Sequence, residues 1–154
     1  MLRNSENLIS LRIMKKKIIL LSFFTLFTLP IFAQSIFDAI KNNDIPGIQF
    51  LAVNGANLNA HNAQGETPLI IAVENGQLRV AKILLELNAN IDMKDKKGNT
   101  ALIAAVNTDK LDIVRYLINR GADVGITDKK HMSAADYARV QANADILTLF
   151  KSDI

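Results

Sequence analysis

The sequence predicts an all-α solenoid of about four stacked helix–turn–helix repeats with projecting hairpin loops. Three similar stretches, which begin at Asn54, Leu87 and Arg120, follow one another at intervals of 33 residues. A unit of this length cannot bury its apolar face alone, so successive units are expected to stack around one continuous core. The positions that match in register are Gly55/Asn88/Gly121, Ala56/Ala89/Ala122, Asn57/Asn90/Asp123, Gly65/Gly98/His131, Thr67/Thr100/Ser133 and Ala72/Ala105/Ala138.

The first helix of each unit is predicted from its capping residues and its apolar spacing. Thr67 stands directly before Pro68, and this order is typical of a helix start, because the hydroxyl caps a backbone N–H and proline suits the first helical position. Leu69, Ala72 and Val73 then follow the i, i+3, i+4 spacing of a buried stripe. An Asn-Gly pair follows at once, so this helix is expected to be short.

The second helix of the unit is predicted from about Leu78 to Leu87. Its apolar side comprises Val80, Ile83, Leu84 and Leu87. The helix ends at Asn88, and the equivalent positions in the neighbouring units are Gly55 and Gly121. Because Gly and Asn adopt positive φ more readily than other residues, the same left-handed backbone geometry is predicted at all three positions.

Residues 34–154 are predicted to form one repeat domain, with repeats at about 35–61, 62–94, 95–127 and 128–151. The first unit begins at Ser35 without a hairpin, and the last carries Asp136, Arg139 and Asp145, so both are interpreted as caps. Small residues at Ala72, Ala105 and Ala138 should let neighbouring helices approach closely. The predicted core includes Leu69, Ala72, Leu84, Leu102, Ala105 and Leu117.

Residues 1–33 are predicted to be an upstream segment followed by a signal peptide. Three lysines, Lys15 to Lys17, precede an uncharged apolar run from Ile18 to Phe32, and the small residue Ala33 suits a cleavage site. Met14 heads a better-formed leader than Met1 does, so it is the expected initiator. The run is shorter than the roughly 20 residues that a membrane-spanning helix needs. The alternative is a retained anchor that tethers the protein to a membrane.

The charge of the chain is concentrated in this leader. Residues 1–33 carry a net charge of +4, whereas the whole chain carries +3, so residues 34–154 carry −1. Basicity therefore gives no support for nucleic-acid binding by the mature protein. The chain contains no Cys, which excludes disulfides and thiolate metal sites.

These features resemble the ankyrin repeat family. Gly65-Glu66-Thr67-Pro68-Leu69-Ile70-Ile71-Ala72 stands where that family has G-x-T-P-L-H-x-A, Gly98-Asn99-Thr100-Ala101-Leu102 repeats the pattern, and Asp136-Tyr137-Ala138 looks like a family C-terminal cap. The resemblance implies stacked helix pairs that bind other proteins through their fingertips and concave inner-helix surface. Ile70 and Ile103 depart from the family by replacing His. His131 replaces the turn Gly, so the last hairpin is expected to be distorted.

Two surfaces are candidates for partner binding. The first is a basic ridge on the hairpin tips, formed by Lys94, Lys96, Lys97, Lys129 and Lys130, which would attract an acidic partner. The ordinary interpretation is that loop tips carry solvating lysines. The second is a polar surface at loop and inner-helix positions, comprising Gln64, Glu66, Glu74, Asn75, Asn99, Asn107 and Thr108.

The sequence does not predict an enzyme, a metal site or a cofactor. His61 and His131 belong to hairpins about two repeats apart, too far to share a metal, and each is interpreted as a solvated loop residue. Asp92, Asp95, Asp123 and Asp128 recur at repeat positions, where Asp forms turns by accepting backbone hydrogen bonds. We therefore expect a non-enzymatic, exported protein-binding module, periplasmic or secreted, that protects or neutralises a partner protein. Capped ends favour a monomer.

Overall fold

Residues 35–150, which the computed structural model describes, form eight helices in four consecutive pairs. The pairs are α1 (Ile36–Lys41) with α2 (Ile45–Val53), α3 (Pro68–Glu74) with α4 (Leu78–Glu86), α5 (Ala101–Asn107) with α6 (Leu111–Asn119), and α7 (Ala134–Val140) with α8 (Ala144–Leu149). Within this range no β-strand is present, and the one isolated bridge joins Thr127 to Ser133. The predicted all-α solenoid is therefore confirmed, while the predicted leader lies outside the described residues.

The first helices of the four pairs form an inner row in which each contacts the next, from α1 through α3 and α5 to α7. This row carries most of the core: every residue from Pro68 to Val73 and from Ala101 to Val106 is buried. The helices α3 and α5 are each covered by two inner neighbours and by their own outer helix, so burial extends all round them rather than along one stripe. The six residues predicted as core are all at most 1% exposed, which confirms the prediction.

The inner helices begin where the sequence predicts. The Oγ1 atom of Thr67 accepts a hydrogen bond from the Ile70 N–H at 3.2 Å, and Thr100 makes the equivalent bond in the next layer. Ser133 forms a full capping box, because the Asp136 carboxylate also accepts the Ser133 N–H. These side chains satisfy backbone donors that a helix start otherwise leaves without partners.

The outer helix α4 buries a slightly different side from the one predicted. Val80 and Leu84 are fully buried as expected, but Ile83 and Leu87 are only half-buried, and Ala81 and Leu85 are buried with the first two. The contact thus follows the i, i+4 rows 80–84 and 81–85, which are the ridges that helices commonly pack into one another's grooves.

The predicted left-handed positions after the outer helices are confirmed. Gly55, Asn88 and Gly121 have φ values of 86°, 65° and 83°. The residue after each of them is an alanine, whose N–H donates a hydrogen bond to a carbonyl near the end of the preceding helix. The Ala89 N–H, for example, donates to the Leu84 carbonyl at 2.9 Å. One backbone geometry therefore ends the outer helices of the first three pairs.

The expected distortion of the last hairpin is wrong. His131 adopts a φ of 61°, in the same left-handed region as Gly65 and Gly98. Its N–H donates to the Asp128 carbonyl at 3.0 Å, just as the Gly98 N–H donates to the Asp95 carbonyl at 3.0 Å. The His131 side chain is exposed, so only the local strain of left-handed backbone opposes it, and the turn keeps its hydrogen bonds with a non-glycine residue in place.

A left-handed residue also joins the two helices of every pair, and in the last pair this residue is Ala142. Its φ is 54°, whereas Gly76 occupies the equivalent place between α3 and α4 with a φ of 68°. Because left-handed backbone strains any residue with a Cβ, Ala142→Gly is expected to raise the free energy of unfolding by about 0.5 kcal/mol, net of the added freedom of the unfolded chain. Urea unfolding measures this change.

The matched control for this substitution is Ala144→Gly. Ala144 is exposed like Ala142 but opens the helix α8, where glycine only adds freedom to the unfolded chain. The control should therefore lower stability. Equal effects of the two substitutions would contradict the assignment of strain to Ala142.

Candidate functional site

Three hairpin turns project from the stack at residues 62–66, 95–99 and 128–132, and one polar side chain organises each turn. The Oδ1 atom of Asp95 accepts the N–H groups of Lys97 and Asn99 at 2.7 and 2.8 Å. Asn62 and Asp128 accept the equivalent two N–H groups in their own hairpins. Asp123 likewise accepts from Gly125. The interpretation as turn residues is confirmed for Asp95, Asp123 and Asp128, whereas the Asp92 carboxylate accepts an N–H from the next layer.

Neighbouring hairpins are joined by hydrogen bonds that cross from one layer to the next. The Lys129 N–H donates to the Lys97 carbonyl at 3.0 Å, and the Asp123 N–H donates to the Asp92 carboxylate at 3.0 Å. His61 is exposed as predicted, but its Nε2 atom also lies 3.0 Å from the carbonyl oxygen of Lys94. Because these bonds fix one hairpin against the next, side chains at the tips keep defined spacings.

The five lysines of the predicted ridge are all exposed, but they point in different directions. The Nζ atom of Lys94 donates to the Thr127 carbonyl in the following layer, at 2.9 Å. The Nζ atom of Lys96 donates to the Ala63 carbonyl in the preceding layer, at 2.6 Å. The ridge is therefore not a single row of free ammonium groups, since two of its members bridge hairpins.

Four of the five lysines, all except Lys94, line a concavity that we call the basic cleft. It has a volume of about 550 Å³ and lies between the second and third hairpins and the inner helices. Its lining residues are Lys96, Lys97, Asn99, Asn107, Asp128, Lys129, Lys130 and Tyr137. Within residues 35–150 the salt bridge present is Arg139–Asp136, so no carboxylate pairs with the lysines of the cleft. The cleft can therefore attract anionic groups.

One carboxylate and one hydroxyl form the floor of the basic cleft. The Tyr137 hydroxyl donates to the Oδ2 atom of Asp128 at 2.6 Å, and Asp128 is only 7% exposed. This hydrogen bond, with those from the Met132 and Lys130 N–H groups, holds the pKa of Asp128 below its ordinary value, against the effect of burial. The same contact raises the pKa of Tyr137. It ties the third hairpin to α7.

Loss of this hydroxyl should weaken the last layer. Tyr137→Phe leaves the Asp128 carboxylate without its side-chain donor, so the free energy of unfolding is expected to fall by about 1–2 kcal/mol at neutral pH. Because the Asp128 pKa is lowered in the folded protein, its stabilising contribution is present above its ordinary pKa of 3.8 and is lost as the pH falls through the folded value. Urea unfolding at several pH values measures both effects.

The control for Tyr137→Phe is Tyr116→Phe. The Tyr116 ring lies beside Lys82 and Arg120, with the Lys82 Nζ atom 5.3 Å from its centroid, and its hydroxyl has no hydrogen-bond partner within residues 35–150. This control should change stability little at any pH. A pH-independent loss in Tyr137→Phe would contradict the role assigned to the Asp128 charge.

The predicted polar surface is divided by the structure. Asn99 and Asn107 line the basic cleft, which brings them together with Lys97, Lys129 and Lys130. The other five members do not line it: Gln64, Glu74 and Asn75 are exposed, while the half-buried Glu66 and Thr108 are engaged in hydrogen bonds to Asn62 and to the Ala104 carbonyl. A role of any of these residues in partner binding stays a prediction.

Glu74 lies at the end of α3, one layer before Asn107 in the same inner-row position. Burial raises the pKa of Glu74, and the nearby carboxylates of Glu66 and Asp95 raise it further, while Lys97 acts in the opposite direction. Glu74 is thus an exposed carboxylate with Glu66, Asp95 and Lys97 as charged neighbours, in the layer before the basic cleft.

The described residues contain no cluster of three or more His, Cys, Asp or Glu side chains that could hold a metal ion. His61 and His131 are both exposed and belong to different layers, as predicted. The lining of the basic cleft offers ammonium and amide donors, which suit recognition of an anionic group.

The fold and the cleft define the class of this protein: a helical-repeat array with hairpin tips, which is a scaffold for binding. A family model described as ankyrin repeats (3 copies) matches residues 36–128. The chain belongs to the ankyrin repeat family, whose repeats are protein–protein interaction modules.

Solved structures support the same fold. The ankyrin repeat domain of Bcl-3, described as a unique member of the IκB protein family, matches with a TM-score of 0.72 and 27% sequence identity. The match covers 75% of this chain and 50% of that one, so this chain spans half the length of that structure. No curated protein matches the sequence significantly. The partner must therefore be inferred from the site itself.

Proposed function

We propose that this chain is an exported, non-enzymatic binding module that captures a partner protein through the basic cleft and thereby protects or neutralises that partner. The observation that carries this proposal is the cleft, because it combines a concave shape with exposed lysines that form no salt bridge with a carboxylate of residues 35–150. Hairpins fixed by interlayer hydrogen bonds present these lysines in one arrangement before any partner arrives, which reduces the entropic cost of binding.

Export is proposed from the residues that precede the repeat array. Lys15 to Lys17 and the apolar run from Ile18 to Phe32 are typical of a signal peptide that ends at Ala33. Within residues 35–150, every helix is too short to cross a bilayer. A signal peptide would leave the array free in the exported compartment, whereas a retained apolar run would tether it to a membrane as a scaffold.

The N-terminus of the protein from expressing cells separates these two possibilities. Cleavage after Ala33 should give a soluble species of the exported fraction that begins at Gln34. An uncleaved species in the membrane fraction would instead support the tethered scaffold. A Lys15→Glu/Lys16→Glu/Lys17→Glu variant should retain the protein inside the cell, since the basic n-region directs export.

Capture of the partner tests the binding role. A C-terminally tagged protein is expected to retain a defined partner from the exported fraction, and Lys97→Glu/Lys129→Glu/Lys130→Glu should reduce that retention at least about tenfold, because charge reversal converts attraction into repulsion. A matched variant carries the same charge change on exposed positions of the outer helices, as Arg79→Glu/Lys82→Glu/Arg115→Glu. Equal loss in both variants, or retention by both, would contradict binding through the basic cleft.

A further inference from the structure

Charge changes sign along the partner-facing side of the array. We define a layer as one hairpin with the inner helix that follows it, so the three layers are residues 62–74, 95–107 and 128–140. The first layer carries two glutamates, Glu66 and Glu74, and no lysine or arginine. The second and third carry the exposed lysines of the basic cleft. The surface is therefore negative at one end and positive at the other.

The charge of the negative end is balanced only in part: Lys97 acts on Glu74, and the Lys96 ammonium donates to the Ala63 carbonyl of the first hairpin. Burial and the carboxylates of Glu66 and Asp95 raise the pKa of Glu74, so the ionised form of this side chain is destabilised where it stands. A cation placed beside it by a partner would relieve this repulsion. At the positive end, Asp128 and Asp136 offset part of the positive charge, but Lys129, Lys130 and Arg139 outnumber them, so the third layer keeps a net charge of +1.

We propose that the basic cleft binds an extended, doubly charged segment of the partner protein. Two acidic side chains of the segment face Lys129 and Lys130 in the third layer, and a basic side chain about six residues away faces Glu74 in the first. The spacing follows from the stack: packed helices lie about 10 Å apart, so two layers span about 20 Å, which an extended chain covers in about six residues. This inference rests on the proposed function, that is, on protein binding through the cleft.

A protein segment fits this surface better than a nucleic acid. A nucleic acid is negative along its whole length, with a phosphate at every step, and would extend past the lysines to the repelling Glu66 and Glu74. Asn99 and Asn107 add amide donors and acceptors between the charged ends, which suit the backbone of a peptide. Single-stranded polynucleotide should accordingly compete poorly for the cleft.

A double-mutant cycle between the protein and a synthetic peptide tests the pairing with Glu74. The first probe is a fluorescein-labelled peptide with an Asp-Asp pair, four Gly/Ser residues and then Lys, and the second has Gln in place of Lys. Fluorescence anisotropy at low ionic strength is expected to show about threefold tighter binding of the Lys peptide to the wild-type protein. In Glu74→Gln this preference should disappear, because the partner charge is gone.

The lysine end is tested in the same assay. Lys129→Gln/Lys130→Gln should weaken binding of both peptides by about tenfold while leaving the preference for Lys in place. Circular dichroism confirms that the variants fold, and Glu86→Gln makes the same charge change at an exposed position of the outer helix α4. An unchanged preference in Glu74→Gln overturns the inference, as does failure of the wild-type protein to bind either peptide at millimolar concentration.

Failure of this inference is distinguishable from failure of the proposed function. In one outcome, the tagged protein retains its partner through the three cleft lysines, but Glu74→Gln changes neither that retention nor the peptide preference. The binding role then stands, and the doubly charged segment is rejected. If the partner is retained equally by the cleft variant and the outer-helix variant, the proposed function itself is rejected.

Discussion

Ala105→Glu is expected to unfold the array. Ala105 is fully buried in α5, which contacts both α3 and α7, and its small side chain lets these helices approach. A glutamate there has neither room nor a counter-ion, and burial of an unpaired charge costs about 4 kcal/mol or more. Since a domain of this size is stabilised by only about 5–15 kcal/mol, much of its stability would be lost. Far-UV circular dichroism and urea unfolding measure the effect.

The control lies on the same helix. Asn107 is the last residue of α5 and is exposed, so Asn107→Glu adds the same charge without burying it. This variant should unfold cooperatively at nearly the wild-type urea concentration. A cooperative transition for Ala105→Glu close to that of Asn107→Glu would mean that the inner row does not pack as described.

The backbone of the array was predictable because each structural position occurs several times in the chain. Gly55, Asn88 and Gly121 share a requirement for positive φ, and only a residue comparison at a fixed period makes this visible in a single sequence. The caps at Thr67 and Thr100 were predictable for the same reason. Because each position recurs in several repeats, one unusual residue does not hide the shared pattern. The capping and turn residues therefore predicted the local structure reliably.

The details of the candidate site were less predictable, because they depend on side-chain torsions and on departures from the repeat. Lys94 and Lys96 are both exposed tip residues in the sequence, yet they reach toward opposite neighbouring layers. In the sequence Tyr137 belongs to a predicted cap, although the equivalent residue one layer earlier is Ala104. A large hydroxyl-bearing side chain at a position that is otherwise small or aliphatic was the available signal for the floor of the cleft.

The buried side of the outer helix α4 was also difficult to predict from the sequence. The sequence spacing predicts that Ile83 and Leu87 lie on the buried side of α4. More than half of the residues of α4 are apolar, however, so several sets of helix positions match the spacing of a buried face equally well. Packing against α3 selects the rows that contain Ala81 and Leu85. Periodicity identifies an amphipathic helix, whereas the neighbouring helix decides how the helix is rotated.

Gly98→Ala is expected to weaken both the stack and the basic cleft. Gly98 has a φ of 87°, and a Cβ added there would meet the Lys129 backbone nitrogen at 2.9 Å. Backbone atoms of the next hairpin cannot move aside as a flexible side chain can. The substitution should therefore cost about 1 kcal/mol for left-handed strain and about 2 kcal/mol more for the clash. Urea unfolding of the purified protein measures the total.

Gly121→Ala separates these two contributions. Gly121 has a similar φ of 83°, but a Cβ there would meet nothing within 4 Å, so only the strain applies. The clash at Gly98 should also displace the hairpin whose Lys129 N–H donates to the Lys97 carbonyl at 3.0 Å. Since that bond sets the spacing of two lysines in the basic cleft, Gly98→Ala should weaken partner retention while Gly121→Ala preserves it. Equal stability and equal retention in the two variants would show that the hairpins do not hold the cleft in shape.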